Sequence, residues 1–161
     1  MKQAPRGRHD GRGLRVALLR ARFNAAVVDG LVDGALAALE EMGAKRAKVD
    51  LLDVPGSFEL PLAAQAAARS GRYDAVVALG AVIKGETDHY EHVARAATMG
   101  LSSVALETGV PVGFGVLTVA AEDQALKRAA PGAENKGAEA VRAAVAMVHL
   151  LESLEKKGRR G

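Results

Sequence analysis

The 161-residue sequence contains no cysteine and no tryptophan, and only 3% of its residues are aromatic. Without thiols the chain can form no disulfide, use no thiolate nucleophile and bind no metal through cysteine. It also lacks an apolar run long enough to cross a bilayer, and residues 1–13 lack the apolar segment of a secretory signal. These absences predict a soluble cytoplasmic protein without a membrane partner, and the 49% hydrophobic residues suffice for one buried core.

Basic residues are concentrated at the two ends of the chain. Residues 1–15 carry five basic side chains and one acidic, and residues 155–161 carry four and one. Because the formal net charge is only +3, the body between these ends is net acidic. Nucleic-acid-binding domains normally show a basic stripe on the fold itself, so we expect no nucleic-acid partner. We interpret residues 1–161 as a single domain with basic tails at 1–13 and 156–161.

Short β-branched segments alternate with amphipathic segments along the rest of the chain. The predicted strands span residues 14–22, 49–54, 74–83 and 112–118. The predicted helices span residues 25–42, 61–69, 88–104, 122–130 and 136–154, and Asn24 is expected to cap the first of them. Alternation of this kind predicts an α/β fold in which helices cover both faces of a four-stranded parallel sheet.

Aromatic and polar residues follow the first three predicted strands, at Phe23-Asn24, at 56–59 and at 85–89. The carboxyl ends of parallel strands are where such sheets bind ligands. Since the core has Ala, Val and Leu to pack, Phe23 and Phe58 are available to stack on a planar ring, although each could instead seal the edge of the core. Phe114 lies early in the fourth strand, at the other end of the sheet, so any ligand it contacts would belong to a neighbouring subunit.

His89 follows a polar turn and lies in the first turn of the third predicted helix, where the helix dipole favours a neutral imidazole able to relay a proton. The turn before it, with Thr87, offers backbone amides to an anion such as phosphate, although simple N-capping by Thr87 or Asp88 needs no ligand. Arg128 is a candidate phosphate clamp or an ordinary solvated charge. His92 could pair with His89 on a metal, but no third ligand is evident and we expect no metal site.

Nucleotide-binding and hydrolase motifs are missing. The glycines form neither the GxGxxG fingerprint nor the GxxxxGK[ST] loop, and no GxSxG elbow occurs. Five collinear blocks instead resemble the motifs of one family, the 6,7-dimethyl-8-ribityllumazine synthases, from about residue 14 to about residue 155. The blocks are Arg22–Asn24, Val54–Pro61, Leu79–Val93, Pro111–Thr118 and Asn135–Gly137.

This resemblance implies a three-layer flavodoxin-like fold. It also implies condensation of 5-amino-6-(D-ribitylamino)uracil with 3,4-dihydroxy-2-butanone 4-phosphate, with loss of phosphate and water and without a cofactor or metal. The residues implied to hold the uracil substrate are Phe23, Ser57, Phe58, Glu59, Ala81, Val82, Ile83 and, from an adjacent subunit, Phe114. Glu86, Thr87 and Arg128 are implied to bind the butanone phosphate, and His89 to donate and accept protons.

The resemblance further implies pentamers, twelve of which would close into an icosahedral shell, and riboflavin synthase as a further partner. Lys136 is implied to lie near the subunit boundary. Two segments depart from the family pattern: Thr118–Ala121 is more apolar than expected, and Pro131 interrupts a loop. Three other interpretations stay open on the residues alone: a flavin- or lumazine-binding protein without activity, a structural shell protein and a flavodoxin-like signalling domain.

Overall fold

The computed structural model describes residues 9–158 of the chain, so residues 1–8 and 159–161 of the predicted basic tails lie outside the described part. Its strands are β1 (Val16–Ala21), β2 (Val49–Val54), β3 (Ala75–Ile83) and β4 (Val112–Val119). Its helices are α1 (Ala25–Glu41), α2 (Leu60–Arg69), α3 (His89–Thr108), α4 (Glu122–Ala129) and α5 (Lys136–Gly158). Short 3-10 turns occupy Arg46–Lys48 and Ser57–Glu59. No helix of this part of the chain is long and apolar enough to span a bilayer.

All four strands run parallel in the order β2-β1-β3-β4. The chain passes from β1 to β2 on one side and then crosses β1 to form β3 on the other. This reversal places a topological switch point between β1 and β3, where open parallel sheets have a crevice beyond the strand ends. The predicted three-layer α/β fold, flavodoxin-like in its architecture, is confirmed.

Two apolar clusters cover the two faces of the sheet. Leu18 faces the larger cluster, which includes residues of α1, α4 and α5, whereas its neighbours Ala17 and Leu19 face a second cluster with α2 and α3. β3 is buried on both faces from Ala75 to Val82, which explains its continuous apolar sequence. The expected core of Ala, Val and Leu needs correction at two residues, because Met42 is buried and so is Tyr73, which donates a hydrogen bond to Asp50 (2.6 Å).

Several predicted element boundaries were wrong by one to four residues. α4 ends at Ala129 because Ala130 adopts an extended backbone, the conformation that a following proline imposes. α3 continues to Thr108, where Gly109 ends it with a left-handed φ of 69°. β1 is shorter than predicted, since Arg15 donates its backbone N–H to the Asp74 carboxylate (2.8 Å) and not to a strand.

The predicted capping role of Asn24 was also wrong. Asn24 precedes α1, but its backbone is left-handed (φ 60°, ψ 44°) and its side chain caps no helix amide. Its Nδ2 instead donates to the carbonyl of Ala81 on β3 (2.8 Å). Asparagine is among the few residues other than glycine that adopt this conformation readily. Asn24 therefore forms a sharp turn after β1 and also links the end of β1 to β3.

Candidate active site

An open cleft of about 680 Å³ lies at the carboxyl ends of β1, β2 and β3. Its walls come from three chain segments that are far apart in sequence and meet only through the sheet. The lining residues are Phe23, Asn24, Pro55, Gly56, Ser57, Phe58, Glu59, Ala81, Val82, Ile83, Gly85, Thr87, His89, Tyr90, His92 and Val93. The cleft therefore brings together the polar strand exits expected from the sequence.

The cleft opens because β1 and β3 stop pairing before β3 ends. Their ladder stops at Arg20 and Leu79, whereas β3 continues alongside β4 to Ile83. Beyond that point the Asn24 side chain bridges the gap by binding the Ala81 carbonyl. The last residues of β3 therefore present their edge to the cleft, and Ala81 and Val82 form a buried floor.

Two phenylalanines stand over this floor. Phe23 is 72% exposed and Phe58 is 62% exposed, so within one chain neither ring seals the core. The Phe23 backbone N–H donates to the Pro55 carbonyl (3.1 Å), which joins the exit of β1 to the exit of β2. The rings are held on a fixed backbone beside an apolar floor, an arrangement suited to a flat aromatic ligand.

The Ser57–Glu59 turn, which contains Phe58, forms another wall of the cleft. It is tied by the Glu59 N–H to the Gly56 carbonyl (3.3 Å). Ser57 is buried against Gly80 of β3, where an added Cβ would lie 2.5 Å from the serine Oγ. Sequence reasoning gave Gly80 no role, although a glycine inside a buried strand is itself a sign that another group approaches closely.

The polar turn after β3 leads directly into α3. Residues 84–88 are all exposed, and His89 is the first residue of the helix, with its side chain open to the cleft. Its backbone N–H makes only a long contact with Thr87 Oγ1 (3.5 Å). Glu86 lies in the same turn but does not line the cleft. Among the residues that the structure describes, no three His, Asp or Glu side chains are grouped to hold a metal ion.

Tyr90 and His92 also line the cleft, and sequence reasoning assigned neither to substrate. Tyr90 is half-buried and packs against the second apolar cluster, whereas His92 is exposed. Both lie one to three residues after His89 on the first turns of α3. The i,i+3 spacing from His89 was the available signal for His92, whereas Tyr90, at i,i+1, had no such signal.

Phe114 and Arg128 lie elsewhere. They line a second concavity of about 460 Å³, together with Lys136 and residues along β4 and α5. Phe114 pairs with Ala78, five residues before the end of β3. Arg128 donates from Nη1 to the Gln124 carbonyl (2.9 Å). One chain therefore does not bring Arg128 to His89, although the sequence interpretation grouped them.

An ion-pair cluster joins the two strands, β1 and β2, that lead into the cleft. Arg20 binds Asp53 through Nε (2.7 Å) and Nη2 (3.1 Å), Arg22 reaches the same carboxylate (3.2 Å), and Asp29 of α1 contacts Arg20 (3.3 Å). The hydrogen bond from Arg20 lowers the pKa of Asp53, partly offset by burial. The cluster joins β1, β2 and α1 directly beneath the turns that carry Phe23 and Ser57.

A sequence model of the family described as 6,7-dimethyl-8-ribityllumazine synthase matches residues 13–152. The chain belongs to this family. A 6,7-dimethyl-8-ribityllumazine synthase of Halorhodospira halophila is 52% identical over 141 residues, covering 88% of this chain and 90% of the relative. One from Nitratidesulfovibrio vulgaris is 46% identical over 148 residues, covering 92% of this chain and 95% of the relative.

The lumazine synthase match spans every strand and nearly all of the five helices. It includes the three segments that build the cleft and the segment that carries Phe114 and Arg128. The chain is thus an enzyme of the transferase type, as its family and its named relatives indicate.

Proposed function

We propose that the cleft condenses 5-amino-6-(D-ribitylamino)uracil with 3,4-dihydroxy-2-butanone 4-phosphate to give 6,7-dimethyl-8-ribityllumazine, phosphate and water. This reaction is the penultimate step of riboflavin biosynthesis. One observation carries the proposal: His89, whose imidazole is a side chain able to transfer protons, shares a cleft with two exposed phenyl rings and an apolar floor. A flat heterocycle that must lose and gain protons suits that combination.

The uracil substrate is assigned to the apolar half of the cleft. Phe23 stacks on the pyrimidine ring, while the residues at the end of β3, Ala81 to Ile83, border its edge. Ser57, Phe58 and Glu59 hold the ribityl-bearing side of the substrate. The support for this assignment is the exposure of both rings and the presence of the Ser57–Glu59 turn and the end of β3 in the lining of the same cleft.

The butanone phosphate is assigned to the polar half. Residues 85–88 precede α3 with exposed backbone, and the N-terminus of a helix attracts phosphate through its free amides and its dipole. Glu86 and Thr87 contact this substrate, and Arg128 clamps the phosphate group with its planar guanidinium.

The chemistry requires proton transfer and orientation. The 5-amino group of the uracil attacks the ketone carbon, water leaves to give an imine, and phosphate departs by elimination. The ribitylamino nitrogen then closes the second ring with loss of water. His89 takes the proton from the attacking amine and returns protons to the leaving oxygens. Holding two substrates in register contributes further, about 7–11 kcal/mol in favourable cases.

A second copy of the chain completes the site. Phe114, Arg128 and Lys136 lie in the other concavity of the same chain, so they reach a cleft only from a neighbour. A contact between two different patches is heterologous, and it forms a ring when the rotation closes. The arrangement is compatible with a ring, and the assembly proposed from the family is a pentamer, a shell of twelve pentamers and riboflavin synthase as a partner.

The same proposal covers the remaining features of the chain. Residues 1–161 form one lumazine synthase domain of a cytoplasmic enzyme, with basic tails at 1–13 and 156–161. The apolar segment 118–121 and Pro131 alter local loop contacts and leave the proton relay in place. Light scattering or electron microscopy distinguishes a shell from a lone pentamer, which would refute the shell.

One assay tests the function directly. Mixing both substrates with the protein should produce a fluorescent lumazine and one phosphate for each molecule of lumazine. A flavin- or lumazine-binding protein without activity would bind the product but release no phosphate. A signalling domain would do neither.

A further inference from the structure

Asn135 is buried in a turn that is otherwise exposed. It is 1% exposed, and Ser57 is the only other buried polar residue within residues 9–158. The five preceding residues, 130–134, are all open to solvent. Burying an amide is costly unless its hydrogen bonds are satisfied, so the partners of this side chain indicate its role.

The side-chain oxygen of Asn135 caps the N-terminus of α5. Oδ1 accepts from the backbone N–H of Gly137 (2.9 Å) and of Ala138 (3.1 Å). These are two of the amides that have no partner within the helix. Asparagine is among the best residues for this capping position. The oxygen therefore fixes where α5 starts, and with it the backbone of Lys136.

The nitrogen of the same amide binds two other helices. Nδ2 donates to the carbonyls of Ala129 (2.9 Å) and Ala130 (3.1 Å) at the end of α4, and of Gly30 (3.0 Å) on α1. An amide has two N–H groups, so one of them is shared between two carbonyls. The nitrogen thus attaches the end of α4 to α1.

Three glycines let the backbones of these helices approach closely where Asn135 joins them. A Cβ at Gly30 would lie 2.7 Å from the Ala129 carbonyl oxygen, and one at Gly34 would overlap the Asn135 side chain itself. A Cβ at Gly137 would overlap the Leu31 carbonyl. Backbone meets backbone at this joint, so the ends of α4 and α5 have little room to shift relative to α1.

The joint carries the two cations of the second concavity. Arg128 immediately precedes Ala129, and Lys136 immediately follows Asn135 in the chain. Both side chains line the second concavity with Phe114. A single side chain therefore sets the backbone positions of both cations, although it points away from them into the interior.

We infer that Asn135 is a positioning residue for phosphate binding: its amide fixes the ends of α4 and α5 to α1 and so holds Arg128 and Lys136 ready for the phosphate of the butanone substrate. The inference rests on the proposed function, in which these cations serve the neighbouring cleft. Asn135 acts through Arg128 and Lys136 and does not touch substrate itself. Small displacements of positioning groups cost large factors in rate, on the order of 100-fold for 1 Å.

The test separates the two halves of the amide. N135D keeps an oxygen that caps α5 but turns a second oxygen towards three carbonyls, whereas N135S keeps the cap with a side chain too short to join both helices. We expect N135D to raise the KM for the butanone phosphate roughly 10-fold or more and to leave the KM for the uracil substrate within about 2-fold. N135S should give a smaller rise in the same KM, and it carries the test if N135D does not fold.

Two further variants distinguish positioning from stability. Val148→Ala, a buried change further along α5, should lower the melting temperature without moving either KM. In a background that carries both Arg128→Ala and Lys136→Ala, N135D should change the KM for the butanone phosphate less than about 2-fold, because Asn135 acts only through these two cations.

The contrary results are equally specific. An equal rise in both KM values, or a full N135D effect in the background that lacks both Arg128 and Lys136, overturns the positioning role. An active wild type with an unmoved KM in both N135D and N135S overturns it while leaving the proposed function intact. A wild type that forms no lumazine overturns both.

Discussion

The two concavities of this chain differ in what they contain. The cleft at the strand ends has two exposed phenyl rings, an apolar floor and His89, while the second concavity has Phe114 with Arg128 and Lys136. The first is equipped for a flat heterocycle and proton transfer, the second for an anion. Neither holds both His89 and Arg128, so under the proposed function two chains must contribute to one site.

The largest expected effect concerns the cleft alone. His89→Ala should lower kcat by about 10²–10⁴-fold, the usual contribution of a positioned general acid-base group. Substrate orientation remains, so residual turnover persists. Glu91→Gln, an exposed change in the same helical turn that does not line the cleft, is the matched control. Stopped-flow formation of lumazine measures both, and unchanged turnover in His89→Ala would remove the proton-relay role.

The next prediction concerns Arg128, which lies in the second concavity and is proposed to serve the cleft of a neighbouring chain. Arg128→Ala should raise the KM for the butanone phosphate by roughly 10–100-fold through loss of a charge-assisted contact, with a small effect on the uracil substrate. Lys127→Ala is its control, because Lys127 is also exposed on α4 but does not line the second concavity.

Mixing these variants tests the two-chain site directly. When His89→Ala and Arg128→Ala chains are unfolded and reassembled together, about a quarter of the sites should receive a native His89 from one chain and a native Arg128 from its neighbour. At a concentration of butanone phosphate below the wild-type KM, activity should therefore exceed that of either variant alone. A mixture no more active than its components would show that both groups serve the site from the same chain.

A smaller effect is expected for the aromatic rings. Phe23→Ala should raise the KM for the uracil substrate about 2–10-fold, since a stacked aromatic pair contributes about 0.5–1.5 kcal/mol beyond its buried area. Leu62→Ala, an equally exposed apolar residue outside the cleft, should leave this KM unchanged. If Phe114→Ala raises the same KM, rings from both concavities contact one substrate.

The smallest effect is a pH dependence of stability beneath the cleft. Arg20 lowers the pKa of Asp53 from its ordinary value near 3.8, so this ion pair stabilises the fold fully above that value and is lost as the pH falls through the lowered pKa. Asp53→Asn should therefore lower the melting temperature by a constant amount above about pH 5, and the difference should vanish in more acidic solution. Asp33→Asn, at an exposed position of α1 outside the Arg20 cluster, is the control, and a difference that persists in acid would contradict the prediction.

Most of the fold was predictable because its signals are local. β3 has a continuous apolar sequence and is buried on both faces, while Pro55 and Gly56 mark the end of β2. The cleft residues followed from the rule that parallel strands end at one edge. Boundaries such as the end of α4 depended on a single residue before Pro131, and periodicity does not resolve them.

The sequence by itself determined the alternation of strands and helices, the family and the polar strand exits, because each is written in a few neighbouring residues. Only the tertiary structure decided that Asn24 binds Ala81, 57 residues away, that Asn135 binds Gly30, 105 residues away, and that Arg128 lies apart from His89. The physical reason is that such partners depend on the order of the strands and on which face of the sheet each helix covers. Local sequence propensity determines neither the order of the strands nor the face of the sheet that a helix covers.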